Sequence, residues 1–65
     1  MDFAAWLINK MDDRGLNPTT LAERISENQP TIQRIVSRET KNPRLKIIKK
    51  LEDFFNEKYS GDISG

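Results

Sequence analysis

The sequence predicts an all-α fold, a compact bundle of four to five short helices. Three observations carry that expectation. Apolar residues recur at three- and four-residue spacing in each longer segment, as Phe3, Leu7 and Met11 do near the start and Leu51 and Phe55 near the end. Asparagine and proline stand just ahead of apolar runs, "NP" at 17–18 and "NQP" at 28–30. A helix start favours a capping side chain there and tolerates proline. The alternating pattern of strands is weak throughout. At 65 residues the chain holds one domain at most. A chain this short buries roughly 60% of its unfolded surface, which implies modest stability.

The first helix is expected from Asp2 to Arg14. Phe3, Leu7 and Met11, with Ala4 and Ile8 beside them, make one apolar stripe. Asp2 suits the positive end of the helix dipole, and Gly15 is a natural stop. Trp6 lies at the border of the stripe, where a partly buried packing role is simpler than a ligand platform. The second helix starts at "NPTTLAERI", with Asn17 as cap and Pro18 in the first position, and turns Leu21, Ala22 and Ile25 inward. Ser26-Glu27-Asn28 is too short for anything but a tight corner. Asn28 is placed to cap the third helix, and Pro30 falls within its first turn.

The third helix covers residues 29–36. Ile32, Ile35 and Val36 gather on one side with Thr31, while Gln29, Pro30, Gln33 and Arg34 take the other. A polar and basic loop, "SRETKNPR", follows. The fourth helix is expected from near Pro43 or Arg44 to Asn56, with Leu45, Ile48, Leu51 and Phe55 inward and Ile47 and Phe54 flanking. "EKYSGDISG" reads as a frayed tail with at most one weak turn around Tyr59. Residues 1–56 are thus the domain, and 57–65 a tail or the start of a linker.

Net charge is +1, but it is unevenly spread. Between Arg24 and Lys50, Arg24, Arg34, Arg38, Lys41, Arg44, Lys46, Lys49 and Lys50 face only Glu27 and Glu39, giving +6. Residues 1–23 sum to −2 and residues 51–65 to −3. A basic middle between acidic ends is an electrostatic footprint for a polyanion, with scattered solvated lysines as the bland alternative. The chain has no cysteine or histidine. Disulfides are therefore impossible, the usual zinc ligands are missing, and neither a metal nor another cofactor is expected. No glycine-rich phosphate loop is present. The carboxylate pairs Asp12-Asp13 and Glu52-Asp53 lie on amphipathic helices without partner chemistry, so catalysis is not expected. With no signal-peptide pattern and no long apolar run, a cytoplasmic protein without membrane contact is expected.

Two short helices joined by a three-residue corner are the signature of a helix-turn-helix. Ala22 is small where the two helices approach, and Leu21, Ile25, Ile32 and Ile35 supply the apolar contacts. From Phe3 to Phe55 the chain resembles the DNA-binding domains of lambdoid phage repressors and Cro proteins. The most specific part is "GLNPTTLAERISENQPTIQRIVSRETKNPR", where "LA" is followed by "QPTIQRI" and "TKNPR". Two departures stand out. Ser26 holds a corner where the family usually has glycine, and the tail is short where relatives often add a fifth helix that helps dimerisation. Some relatives also join helix one to helix three by a buried Arg–Glu pair. The matching places here are Met11 and Val36, so an apolar contact is expected instead.

The resemblance implies a lambda-repressor-like fold with the third helix in the DNA major groove. Base edges would then be read by Gln29, Gln33 and Arg34, with Asn28 reaching a base or a phosphate and Pro30 packing on a thymine methyl. Glutamine can pair with adenine and arginine with guanine through two hydrogen bonds. A neutral surface on a helical module is the plainer reading of the same residues. Backbone phosphates would meet Asn17, Thr19 and Thr20 at the start of helix two, and Ser37, Arg38, Lys41, Asn42 and Arg44 after helix three, with Arg44 near the minor groove. Lys46, Lys49 and Lys50 read as solubility residues. The implied function is a sequence-specific transcriptional regulator of repressor type in a bacterial or phage-infected cell, at the nucleoid. Its partner would be double-stranded operator DNA, bound through a weak homodimer completed on that DNA, with no small-molecule ligand. Two alternatives stay open: an antitoxin-like regulator whose main partner is a toxin, and a helical protein-interaction module without DNA binding. The sequence fits either a full Cro-like protein or the N-terminal domain of a longer repressor.

Overall fold

The computed structural model describes residues 2–40 and 43–59, which contain the helices α1 (Phe3–Arg14), α2 (Pro18–Arg24), α3 (Gln29–Val36) and α4 (Leu45–Phe55). Two starts carry side-chain caps. Asp2 Oδ1 accepts the Ala5 N–H at 2.9 Å, and Asn17 Oδ1 accepts the Thr20 N–H at 2.8 Å. Pro18 follows in the first turn, where its missing N–H costs nothing. Asn28 holds the extended cap position of α3 but makes no side-chain cap bond, contrary to expectation, and Arg44 does the same for α4.

All four helices stop in the same way. Gly15, Ser26, Arg38 and Asn56 have φ of 65°, 58°, 66° and 58°. The next residue then donates its N–H to a carbonyl five residues back: Leu16 to Met11, Glu27 to Ala22, Glu39 to Arg34, and Glu57 to Glu52, at 2.8–3.1 Å. This is the Schellman stop, in which a left-handed residue satisfies carbonyls that the helix end leaves open. Glycine fills only the first of the four places.

The core lies where α1, α2, α3 and α4 converge. Leu7, Leu21, Ile32, Leu51 and Phe55 are buried, as is Ile35, and Ala22 keeps α2 and α3 close. Burying one such aliphatic side chain contributes about 1.5–3 kcal/mol, more than an exposed ion pair at about 0–1. Burial therefore sets the helix orientations.

The structure corrects several inward assignments. Trp6 is not a border residue but part of the core, with its ring stacked on Phe3 at 5.3 Å and edge-on to Phe55 at 5.9 Å. Ile8 is 40% exposed, because α1 turns its Phe3–Trp6–Leu7 side inward. On α4 the buried line is Ile47, Leu51 and Phe55, while Ile48 and Phe54 are half-buried. Leu45 is 66% exposed. It stands two residues from Ile47, about 200° round the helix, and so faces away from the bundle.

The segment after α4 is not frayed as far as Tyr59. The Tyr59 ring packs edge-on against Phe3 at 5.1 Å and Trp6 at 5.7 Å, and its N–H donates to Glu52 Oε2 at 2.8 Å. Lys10 pairs with Glu57 at 2.5 Å. Arg14 donates to the Phe55 carbonyl at 3.0 Å and lies over the Phe55 ring. The ends of α1 and α4 are thereby bound together. Residues 60–65 of the tail lie outside the described residues.

Met11 is buried in the core and Val36 packs against it, half-buried, and the two border one shallow groove with Ile8 and Leu16. Two outcomes follow from this packing. Ser26→Gly should stabilise the protein by about 0.5–1 kcal/mol, since left-handed strain of about 1–2 kcal/mol exceeds the roughly 0.5–1 that glycine costs in chain entropy. Met11→Arg should cost about 3 kcal/mol or more by burying a charge without a partner, and adding Val36→Glu should recover part of it. Chemical denaturation of the variants checks both.

Candidate nucleic-acid interface

The amphipathic pattern of α3 divides its residues cleanly. Ile32 and Ile35 are buried, Thr31 and Val36 are half-buried, and Gln29, Pro30, Gln33 and Arg34 are exposed. Asn28, also exposed, stands at the helix start with its side chain uncommitted to the cap. The residues expected to read bases therefore share one solvent-facing surface, whose back is fixed by the core. None of them is needed to hold the helix.

The flanks carry the backbone-contact candidates. Asn17 is engaged as the α2 cap, with Thr19 exposed and Thr20 half-buried beside it. Beyond α3, the Ser37 hydroxyl lies 3.3 Å from the Arg34 carbonyl and 3.1 Å from Glu39 Oε2, so its single proton is shared within the loop. Arg34 and Arg44 border the same groove: with Glu27, Thr31, Thr40 and Pro43 they line a space of about 450 Å³ between α3 and the start of α4. Lys41 and Asn42 lie outside the described residues.

Three carboxylates and one lysine act here in ways that periodicity does not signal. Lys50 is more than a solubility residue. Its Nζ pairs with Glu27 Oε2 at 2.5 Å and approaches the Ile25 carbonyl at 3.4 Å, tying α4 to the corner between α2 and α3. Glu39 takes part of the Ser37 hydroxyl and puts a negative charge inside the basic loop. Asp2 pairs with Arg38 at 3.1 Å. The only sequence clue to these pairs is opposite charge at long separation, which fixes no geometry.

The Asp2 carboxyl is held below the ordinary aspartate range, first by the hydrogen bond from Arg38 and then by the Ala5 N–H. Both bonds favour the ionised form.

A short helix exposing glutamine and arginine, packed through its back on a preceding helix and followed by a basic loop, defines a helix-turn-helix DNA-binding domain. The comparison with known families agrees: the chain belongs to the helix-turn-helix family of Cro/C1 type, which matches over residues 7–61. That family is a DNA-binding regulator domain and not an enzyme family. No curated protein and no solved structure matches significantly. Among the described residues, no helix is long and apolar enough to cross a membrane.

Because the folded carboxyl of Asp2 titrates below its unfolded value, its contribution to stability is present above the ordinary aspartate range. It is lost as pH falls through the lowered folded value. A carboxyl-carbon NMR titration should place the Asp2 midpoint below the ordinary aspartate range. Arg38→Ala should move it upward.

Proposed function

We propose that the chain is a sequence-specific transcriptional regulator of the phage-repressor type, which binds a pseudo-palindromic operator as a dimer in the cytoplasm, at the nucleoid. The observation that carries this reading is the exposed face of α3. Gln29, Gln33 and Arg34 stand together there, clear of the core, on a family member built to bind DNA. In this reading α3 enters the major groove, Gln33 pairs with an adenine and Arg34 with a guanine, and Asn28 and Pro30 contact the neighbouring step. Asn17, Thr19, Thr20, Ser37, Arg38, Lys41, Asn42 and Arg44 meet phosphates and fix the register.

A dimer places two such helices about 34 Å apart, one turn of DNA. The exposed Leu45 offers an apolar side chain for weak self-association, completed on the operator. Repression is then steric, since an occupied site excludes polymerase. Affinity falls with salt at roughly 0.9 log units of K per log unit of salt for each phosphate neutralised.

Selection of sites from a random pool of duplex DNA tests the proposal. An inverted repeat with fixed spacing is the expected result. Single half-sites would support the reading face while removing dimerisation from this chain. No enrichment by folded protein would favour a protein partner, a toxin included. Against the selected site, Gln33→Ala should cost about 1–3 kcal/mol and relax one base position. Uniform weakening at every position would remove Gln33 from the base-reading set.

A further inference from the structure

Arg38 occupies the left-handed corner after α3, and its side chain is held at both ends. The backbone is fixed because the Arg38 N–H donates to the Ile35 carbonyl at 3.1 Å and the N–H groups of Glu39 and Thr40 both reach the Arg34 carbonyl. The guanidinium is fixed because its Nε–H donates to Asp2 Oδ2 at 3.1 Å and its Nη2 to Asp2 Oδ1 at 3.4 Å. Asp2 is anchored in turn, since Oδ1 also accepts the Ala5 N–H.

A guanidinium carries five donors in a planar fork. Asp2 occupies the edge formed by Nε and Nη2. The other edge, formed by Nη1 and the second Nη2 hydrogen, matches two oxygens of one phosphate. Both side chains remain more than half exposed, at 55% for Arg38 and 58% for Asp2, so a ligand from solvent can reach that edge.

We infer that Asp2 is a positioning residue for DNA binding: it clamps one edge of the Arg38 guanidinium and so presents the other to a backbone phosphate. The inference rests on the proposed role of Arg38 as a backbone contact. Its physical content is pre-organisation. A free arginine loses rotamer freedom when it binds, whereas a clamped one has lost it beforehand. Simple charge acts in the opposite direction, because a carboxylate close to DNA repels phosphates. The sign of the effect on affinity therefore separates positioning from bulk electrostatics.

The test uses Asp2→Asn and Asp2→Ser, both of which keep a side-chain oxygen able to cap α1. Neither keeps the two-oxygen clamp. Binding is measured to a short duplex of arbitrary sequence at low salt, since phosphate contacts need no particular bases. Each variant should bind about two- to fivefold more weakly, the size expected of one exposed oriented contact, despite its extra positive charge. In an Arg38→Ala background neither should change binding further. The Arg38 Nε–H resonance, protected in the parent, should lose protection in Asp2→Asn, while backbone amide resonances away from Asp2 and Arg38 keep their folded positions. Unchanged or tighter binding by Asp2→Asn would overturn the inference and leave Asp2 as a cap and counter-ion. Unchanged binding by Arg38→Ala, in a parent that binds, would overturn it through the contact assignment. A folded parent that binds no duplex would instead sink the DNA-binding reading, and the inference with it.

Discussion

The architecture depends on stopping helices abruptly. Four helix ends must be closed within few residues, and at each one a left-handed residue ends the helix while its neighbour's N–H closes on the carbonyl five back. Glycine adopts this conformation freely, but of these four ends only the first has it, at Gly15; serine, arginine and asparagine accept it at a cost. The two costly corners at Ser26 and Arg38 bracket α3. The position and length of α3 are thus bounded by strained backbone that the surrounding packing sustains.

The eight residues of α3 are too few to form a stable helix alone in water. Ile32 and Ile35 supply the burial that makes it persist, and Ala22 allows the preceding helix to lie close against it. Lys50 then secures the corner from a different helix through Glu27 and the Ile25 carbonyl. The partial shielding of that pair makes it less subject to salt screening than the open Asp2–Arg38 pair, whose groups stand in solvent. The aromatic contacts of Phe3, Trp6, Phe55 and Tyr59 join α1 to α4 and to the segment that follows.

Helix boundaries were readable in the sequence because caps, prolines and apolar spacing are local signals. The limits of α3 and the division of its two faces emerged directly from them. Side-chain partners are not local, and there the reading weakened. Trp6 looked marginal because Phe55 and Tyr59, which enclose it, lie far away in sequence. Spacing alone turns Leu45 inward, although the buried line of α4 runs through Ile47, Leu51 and Phe55. Asn28 has the right residue type for a cap, yet its side chain does not make the bond. The exposed surface of α3 was legible as a set of residues. The clamps around it, Asp2 on Arg38 and Glu27 on Lys50, required the fold.

The separation between the two faces of α3 has an evolutionary consequence. Gln29, Pro30, Gln33 and Arg34 contribute nothing to the buried core, and exchanges at such surface positions usually change stability by less than about 0.5 kcal/mol. Drift at these sites is therefore nearly invisible to folding, while drift at Ile32 or Ile35 is not. Under the proposed role of this face, a lineage carrying this scaffold can acquire a new molecular address through a few codons, without rebuilding the body that carries it.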